Sequence, residues 1–464
     1  MALTYDEAKQ RLDRHEQGHV LRFWDRLTES ERAALLAQVE TLEFDSIARM
    51  RAMLKAHQTA GAAFDPAMQP ATVLEPTPAE LGDARMEGAA ALRAGKVAVI
   101  LVAGGQGSRL GFDGPKGIYP VGPVTGASLF EIHARKVLRL EQRYGAQVPL
   151  YIMTSDVNDA ATQAYFSDQG WFGLDRERVK FFVQGMWPAL TAEGRVVLDT
   201  PAHLFMSPDG HGGTLSALRR TGMLADMQRR GIETVFYFQV DNPLVEVADP
   251  AFVGLHRRAG ADISIKVCAK RDANEGLGVV VQKDGRCAIV EYSDLPQDQK
   301  EARRPDGTLT FLYGSVAIHI LSRAFLEQEA AAALPLHVAH KKVPVCDDAG
   351  RSVTPAEPNA YKFEKFIFDI IPDAATALNV AFAREEEFSP LKNAGGADSP
   401  ETVRRDLCRK YGRWLAACGV TVPADADGTP TVKIEIDPAY ASSPEDLGAR
   451  LPKDFAIDGD VLLK

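Results

Sequence analysis

Residues 96–120 read KVAVILVAGGQGSRLGFDGPKGIYP, and this stretch decides the predicted fold. It opens with a continuous apolar run, residues 96–103, which stops at Gly104 and Gly105. Similar short apolar runs, with helix-like segments between them, follow at 149–154, 179–183 and 234–240. Apolar strands that alternate with helices are typical of a mainly parallel sheet covered on both faces. The sequence therefore predicts an α/β fold with a Rossmann-like, mixed and mainly parallel sheet.

The regions before and after this stretch have different sequence patterns. Two S/T-x-x-E patterns, starting at Thr4 and Thr28, fit the capping box and indicate helices near the beginning of the chain. Alternating residues with glycine turns at 263–293 predict antiparallel strands beside the sheet. Ser399 is a candidate helix N-cap, and TVKIEID alternates like a strand, so the chain is expected to close with a small α+β unit. We predict three parts: a helical region 1–92, a catalytic domain 93–395 and a small α+β domain 396–464.

Composition narrows the class of protein. The formal net charge is −10, and no basic stripe is present, which argues against nucleic-acid binding. The five cysteines are scattered and odd in number, as expected for reduced thiols in the cytoplasm rather than for disulfides or a zinc site. Neither a signal-peptide core nor a run of about 18 apolar residues is seen, so we expect no membrane partner. The sequence leaves the oligomeric state open.

The segment after the first apolar strand is the candidate site. In open α/β sheets, ligands bind at this position, outside the carboxyl end of a strand. Gly104, Gly105 and Gly107 leave backbone N–H groups uncovered, so a nucleotide can approach the chain closely. Arg109 and Lys116 then add two cations, a planar fork and a point charge, which suit phosphate oxygens. The pattern therefore predicts a phosphate-binding loop.

Three other interpretations of this loop are possible in principle. A Rossmann dinucleotide loop needs G-x-G-x-x-G, but here the third glycine, Gly111, arrives one place late. A P-loop needs G-K-[ST], whereas Lys116 stands between Pro115 and Gly117. A glycine-rich turn with a solvated arginine and lysine remains the alternative that spacing alone leaves open.

A family resemblance goes further than spacing. The blocks GGQGSRLG and PKG resemble the signature of the eukaryotic-type UDP-sugar pyrophosphorylases (UDPGP type 1). Further blocks follow in the family's order: YIMTS (151–155), FFVQGMWPA (181–189), SPDGHGG (207–213), QVDNPLVEVADP (239–250), IVEYSD (289–294), YKFEKFIFDI (361–370) and FSPLKNA (388–394). The resemblance implies the GT-A-like fold of nucleotide-diphospho-sugar transferases. It also implies a Mg²⁺-dependent uridylyltransferase that joins UTP to a sugar 1-phosphate and releases pyrophosphate.

The resemblance implies roles for individual residues. Those expected to act on the phosphates are Arg109, Lys116 and Lys392. Those expected to contact the nucleotide are Gly104, Gly105, Gly107, Gln184 and Gly212. Those expected to contact the sugar are His211, Gly278, Glu291 and Ser315, and the expected metal ligand is Asp241.

The residues themselves leave alternatives to these roles. Gln184 could be a buried structural amide, and Asp241 could be a turn aspartate in D-N-P. Glu291 could be an ordinary strand residue and Lys392 a solvated lysine, while Arg109 or Lys116 could form only a surface ion pair.

The sugar contacts depart from the family pattern. In the block FLYGS, Leu312 and Ser315 stand where the family has asparagines, and His211 replaces another asparagine, as in glucose-specific relatives. These changes alter the hydrogen bonds offered to the sugar. The chain as a whole most resembles the branch that uses N-acetylglucosamine 1-phosphate, with glucose or galactose 1-phosphate as alternatives. A non-catalytic nucleotide-sugar sensor is the other class of hypothesis, and the retained Arg109, Lys116 and Asp241 argue against it.

Overall fold

The computed structural model describes residues 3–59, 65 and 67–464. The internal contacts divide the chain into two compact units. Unit 1 consists of Met1–Ala63, Gln184–Thr214 and Ala333–Asp369. Unit 2 consists of Phe64–Val183, Leu215–Ala332 and Ile370–Lys464. The three-part division at residues 92 and 395 stays a prediction.

The helices follow in chain order. They are α1 Tyr5–Arg14, α2 Glu29–Thr41, α3 Phe44–Thr59, α4 Pro78–Arg93, α5 Leu129–Tyr144, α6 Asp159–Asp168, α7 Gly213–Arg220, α8 Met223–Arg229, α9 Pro250–Arg258, α10 Gln297–Glu301, α11 Arg323–Glu329, α12 Arg384–Glu387, α13 Pro400–Ala417 and α14 Pro444–Gly448. Within the described residues, no helix has both the length and the apolar character needed to cross a membrane.

The strands are short, and most belong to one sheet. They are β1 Gln69–Pro70, β2 Val97–Val102, β3 Leu150–Thr154, β4 Val179–Val183, β5 Met186–Pro188, β6 Leu198–Thr200, β7 His203–Leu204, β8 Met206–Pro208, β9 Thr234–Gln239, β10 Ile263–Ala269, β11 Val279–Lys283, β12 Arg286–Val290, β13 Tyr313–Ser322, β14 His337–Lys341, β15 Val345–Cys346, β16 Ser352–Val353, β17 Ala360–Glu364, β18 Ala377–Ala381, β19 Ile434–Ile436 and β20 Val461–Leu463.

A mixed ten-stranded sheet forms the centre of unit 2. Its main path runs β1-β11-β13-β9-β2-β3-β4, with β12, β10 and β18 paired alongside. The four neighbours β9, β2, β3 and β4 are parallel, as the apolar runs predict, while β13 is antiparallel to β9. The strands predicted at 263–293 pair within this same sheet: β10 joins β13 and β18, and β12 forms a hairpin with β11.

Local sequence signals place the helix starts. Thr4 and Thr28 both form the reciprocal capping box, and Ser399 caps α13 with Pro400 in its first turn. These contacts satisfy N–H groups that a helix start otherwise leaves unpaired. The predicted N-terminal helices and the helix after Ser399 are therefore confirmed. The alternating run at 431–437 forms β19, which pairs in parallel with β20.

Helices α4 and α9 of unit 2 pack backbone to backbone. A Cβ atom added at Gly88 would lie 1.8 Å from the carbonyl oxygen of Pro250. One added at Gly254 would lie 1.8 Å from the carbonyl oxygen of Ala84. Real Cβ atoms do not approach backbone so closely, so both glycines are required by packing. Helix α13 and β19 belong to the same hydrophobic core as β2, through residues such as Leu415 and Ile434.

Unit 1 combines helices α1–α3 with four small antiparallel ribbons. The ribbons are β5–β8, β6–β7, β14–β17 and β15–β16. Its core packs Leu35, Val39 and Met50, which are fully buried, against Leu190 and Phe363.

Candidate functional site

The glycine-rich segment leaves β2 and folds back on itself. The N–H of Gly107 donates to the carbonyl of Gly114 at 2.9 Å, and the N–H of Lys116 donates to the carbonyl of Gly105 at 3.1 Å. The loop therefore closes like a small hairpin. Lys116, which the sequence places well after the glycines, lies beside Gly105 in space.

Glycine is required at different positions of this loop for different physical reasons. A Cβ at Gly107 would lie 2.8 Å from Cδ1 of Phe112, so packing within the chain excludes a side chain there. A Cβ at Gly105 would meet no atom within 4 Å, so its flank is open for a ligand. Arg109 is exposed on the short 3-10 turn that ends at Gly111, whose φ of +68° is left-handed. Contact of Arg109 with phosphate stays a prediction.

Two polar side chains after β3 fix the loop from behind. The Ser155 hydroxyl donates to the carbonyl of Gly104 at 2.9 Å. The Asn158 amide donates to the carbonyls of Ala103, at 2.9 Å, and Gly105, at 3.4 Å. Because these carbonyls are held, the backbone of the loop is preorganised. Ser155 ends the block YIMTS (151–155), whereas no local sequence signal indicates the role of Asn158.

Lys116 and Asp241 meet beyond the carboxyl ends of β2 and β9. The Lys116 ammonium lies 3.9 Å from Oδ2 of Asp241, and their side chains are 17 % and 14 % exposed. The same ammonium donates to the carbonyl of Leu391 at 3.3 Å, and the N–H of Leu391 donates to the carbonyl of Asp241 at 2.8 Å. Leu391 immediately precedes Lys392, so three predicted phosphate and metal residues come from converging segments.

The surroundings of Asp241 suit a metal ion that is held partly by its substrate. Among the described residues, no group of three or more His, Cys, Asp and Glu side chains is placed to hold a metal ion. A cage made only of protein ligands is therefore absent from this part of the chain. Mg²⁺ in phosphate-transferring sites is usually held by one or two carboxylates together with phosphate oxygens and water. The single, partly exposed Asp241 carboxylate fits that arrangement.

Three predicted sugar residues also lie together. Gly278 directly precedes β11 and Glu291 directly follows β12, so the hairpin brings them opposite each other. A Cβ at Gly278 would lie 3.4 Å from Oε1 of Glu291. The N–H of Ser315 donates to the carbonyl of Gly278 at 2.9 Å. The structure therefore groups Gly278, Glu291 and Ser315, as the predicted sugar site requires.

The topology places Ser315 toward the edge of the sheet that carries Asp241. Because β13 runs antiparallel to β9, the beginning of β13 lies toward the carboxyl end of β9. The pairing of β13 with β10 shifts register between Ile265 and Val267, next to Ser315. Ala317 within this irregularity has a φ of +58°. Bulges of this kind re-aim side chains and are common beside functional sites.

Unit 1 contains the other predicted nucleotide residues. Gln184 follows β4, and its side chain is only 6 % exposed. The N–H of Gly212 donates to the carbonyl of Lys365 at 2.8 Å, and a Cβ at Gly212 would lie 2.7 Å from the carbonyl carbon of Phe366. Glycine at 212 is therefore required by packing within unit 1. The nucleotide roles of Gln184 and Gly212 stay predictions.

His211 is held as a neutral hydrogen-bond donor. Its ring stacks on Phe366 with 5.2 Å between centroids and 15° between planes. Its Nδ1 accepts the N–H of Ile367 at 3.1 Å, so the proton of the neutral ring must be on Nε2. Burial lowers the pKa of His211 to about 4, against the opposing charge of Asp369. At neutral pH this residue therefore presents one N–H donor and no charge.

A glycine-rich loop at this edge of a mixed, mainly parallel sheet is characteristic of the α/β nucleotidyltransferases. The family model described as UTP–glucose-1-phosphate uridylyltransferase (UDPGP) matches residues 67–400, and the chain belongs to this family. The predictions of family, of GT-A-like fold class and of a nucleotidyltransferase enzyme are thereby confirmed.

Proteins that align with most of the chain have names in the same enzyme class. The chain is 40 % identical over 450 residues to UDP-N-acetylhexosamine pyrophosphorylase-like protein 1 of Xenopus tropicalis, covering 92 % of this chain and 88 % of the relative. It is 37 % identical to UDP-N-acetylglucosamine pyrophosphorylase of Saccharomyces cerevisiae, covering 81 % and 80 %. The crystal structure of the uridine diphosphate N-acetylglucosamine pyrophosphorylase of Trypanosoma brucei superposes with a TM-score of 0.85 at 27 % identity, covering 99 % and 98 %.

Proposed function

We propose that this enzyme transfers the uridylyl group of UTP to N-acetylglucosamine 1-phosphate, forming UDP-N-acetylglucosamine and pyrophosphate. The observation that carries the proposal is the meeting of the Lys116 ammonium and the Asp241 carboxylate beyond the strand ends. Lys116 is at the same time hydrogen-bonded to Gly105, whose flank is open. A triphosphate in contact with that flank has a cation and a metal ligand within reach.

The chemistry is an in-line displacement at the α-phosphorus of UTP. An oxygen of the sugar 1-phosphate forms the new P–O bond, while the bond from the α-phosphorus to the bridging oxygen of pyrophosphate breaks. The bonding electrons leave with pyrophosphate. Because the attacking oxygen is already anionic, no general base is required. Arg109, Lys116 and Lys392 are proposed to neutralise the negative charge that develops on the leaving group.

We propose Mg²⁺ as the metal cofactor. Asp241 would hold the ion together with phosphate oxygens and water, in keeping with its single carboxylate. When bound, the ion supplies positive charge to the phosphates and orients them. The Lys116 ammonium, 3.9 Å from Oδ2 of Asp241, adds a second positive charge beside the proposed ion site.

The sugar is proposed from the relatives and from two side chains. Relatives that align with most of the chain are named for N-acetylhexosamine or N-acetylglucosamine. Ser315 carries a hydroxyl, which can donate as well as accept, and His211 presents an Nε2–H donor. Donors of this kind suit carbonyl or hydroxyl oxygens of a sugar. Glucose 1-phosphate and galactose 1-phosphate are the alternatives that the experiment must distinguish.

The proposed partners are therefore UTP and a sugar 1-phosphate. We also propose a cytoplasmic location, which the free state of all five cysteines supports.

The test is pyrophosphate release with UTP, MgCl₂ and a panel of N-acetylglucosamine, N-acetylgalactosamine, glucose and galactose 1-phosphates. The expected result is the highest kcat/KM with N-acetylglucosamine 1-phosphate. Asp241→Asn serves as the matched variant, since it removes the charge and keeps the shape. A preference for glucose 1-phosphate would overturn the sugar assignment, and release by Asp241→Asn at the wild-type rate would overturn the metal site.

A further inference from the structure

Helix α13 carries a buried lysine that binds two separate segments of unit 2. Lys410 is only 3 % exposed. Its ammonium donates to the carbonyl of Leu244 at 3.1 Å and to the carbonyl of Glu386 at 2.7 Å. It also pairs with the carboxylate of Glu246. The three N–H donors of the lysine therefore have three acceptors, two of them on one segment and the third on the other.

These two segments are the ones that carry Asp241 and Lys392. They are joined a second time nearer the site, where the Asn242 amide donates to the carbonyl of Glu387 at 2.7 Å. The Asn242 oxygen accepts the N–H of Ser389 at 3.1 Å. The carbonyl of Asp241 accepts the N–H of Leu391 at 2.8 Å. Lys410 thus lies at the far end of a continuous set of hydrogen bonds that leads to Asp241.

Removing the Lys410 ammonium would leave hydrogen-bond acceptors without a donor. The carbonyls of Leu244 and Glu386 and the partly exposed carboxylate of Glu246 would lose this donor, and a buried acceptor without a partner is destabilised. Lys136 of α5 binds the carbonyls of Pro243 and Val245, so it contacts the same turn from another side. Lys136 does not contact the 386–391 segment in these bonds. Lys410 is therefore one of the links that fix the relative placement of the two segments, together with the hydrogen bonds of Asn242 and Asp241.

We propose that Lys410 is a positioning residue, which holds the segments of Asp241 and Lys392 in the geometry that phosphate transfer requires. This inference rests on the proposed function of Asp241 and Lys392. It gives the C-terminal region a role: α13 supplies the cation that fixes the site from behind. Lys410 itself touches neither substrate nor metal in this role. Supporting side chains of metal ligands typically contribute about 10–100-fold to metal affinity or activity.

The test compares Lys410→Met with Arg409→Met. Arg409 is the neighbouring residue of α13, and it pairs with the exposed Asp427 at 2.6 Å. Both changes remove one cation from the same helix. We expect Lys410→Met to lower kcat about tenfold or more and to weaken Mn²⁺ binding to the UTP complex by a similar factor. Mn²⁺ affinity is measured by water-proton relaxation, without turnover. Arg409→Met is expected to match the wild type.

Chemical rescue of a Lys410 variant distinguishes a positioning role of the ammonium from a contribution to the stability of the whole protein. Lys410, Glu246 and Glu386 line a cavity of about 850 Å³, so a small molecule has room to enter. Lys410→Ala lacks three carbons and the ammonium, which propylammonium supplies. We expect propylamine to restore kcat and Mn²⁺ affinity in Lys410→Ala and to have no effect on Arg409→Ala. Should Lys410→Met fail to fold, Lys410→Gln keeps an N–H donor and takes its place.

Three outcomes would contradict either the role of Lys410 or the proposed function. A folded Lys410→Met with kcat and Mn²⁺ affinity within twofold of Arg409→Met would overturn the inference. So would a folded, impaired Lys410→Ala that propylamine does not restore. A wild-type enzyme that releases no pyrophosphate from UTP would instead overturn the proposed function, while the Mn²⁺ comparison would still test the link from Lys410 to Asp241.

Discussion

Gly105→Ala is the substitution that tests the phosphate loop most directly. A Cβ at this position meets no protein atom within 4 Å, and the φ of Gly105 is not left-handed. The chain can therefore accept alanine without strain. Gly→Ala changes at compatible positions stabilise proteins by about 0.4–1 kcal/mol, because the unfolded chain loses freedom. The folded enzyme should consequently be as stable as the wild type or slightly more stable.

Activity should respond in the opposite direction. The added methyl extends about 1.5 Å from the Cα atom, into the space where we expect the nucleotide. A displacement of reacting groups by about 1 Å can cost on the order of 100-fold in rate. We therefore expect kcat/KM for UTP to fall about 100-fold, which corresponds to about 2.7 kcal/mol of transition-state stabilisation.

The assay combines urea unfolding with steady-state pyrophosphate release. Gly82→Ala in α4 is the matched control, since its Cβ also meets no atom within 4 Å. As a glycine inside a helix, it should gain about 0.5–1 kcal/mol of stability and keep full activity. A Gly105→Ala enzyme with wild-type kinetics would refute the close approach of a nucleotide to this loop. A large loss of stability would show instead that the loop geometry is misjudged.

Three further predictions concern charge, packing and pH. Arg109→Ala should lower kcat by about 100-fold or more with little change in unfolding free energy, and near-normal turnover would remove Arg109 from catalysis. Gly254→Ala should cost at least about 1–3 kcal/mol in urea unfolding, because its Cβ would lie 1.8 Å from the carbonyl of Ala84; unchanged stability would contradict this packing. His133 is fully buried, its Nε2–H donates to the carbonyl of Val240 at 2.9 Å, and burial lowers its pKa to about 3. Since the pKa of His133 is lower in the folded than in the unfolded protein, the free energy of unfolding should be highest above about pH 6.5. It should decrease toward pH 3 by up to about 1.4 kcal/mol per pH unit. His133→Gln should reduce this pH dependence when unfolding is measured from pH 7 to 5.

The parallel strands and the position of the glycine-rich loop after β2 could be predicted because their signals are local. Strand β2 is apolar along its whole length, which is the pattern of a strand covered on both faces of the sheet, and this pattern is visible in consecutive residues. Capping at Thr4 and Thr28 involves residues three positions apart. Such short-range chemistry can be read without knowing where the rest of the chain lies.

Other features depend on partners far away in the sequence. The Lys410 ammonium binds the carbonyl of Leu244, which is 166 residues earlier, and no pattern near either residue indicates the contact. Lys116 likewise binds the carbonyl of Leu391, 275 residues later. Backbone carbonyls carry no sequence identity, so hydrogen bonds to them leave no pattern to find. The requirement for glycine at Gly88 and Gly254 has the same origin in distant backbone.

This difference explains why the two halves of the proposed site were predicted unequally. The proposed phosphate site uses one loop, in which Gly105 and Lys116 belong to the same continuous segment and are joined by a hydrogen bond. The proposed sugar site uses Gly278, Glu291 and Ser315, which only the pairing of three strands brings together. A change such as serine for asparagine at 315 is therefore expected to alter the proposed sugar contacts without disturbing the glycine-rich loop. On this reasoning, exchange of Ser315 should change the preferred sugar 1-phosphate far more than the KM for UTP, because the two sets of contacts rest on separate elements.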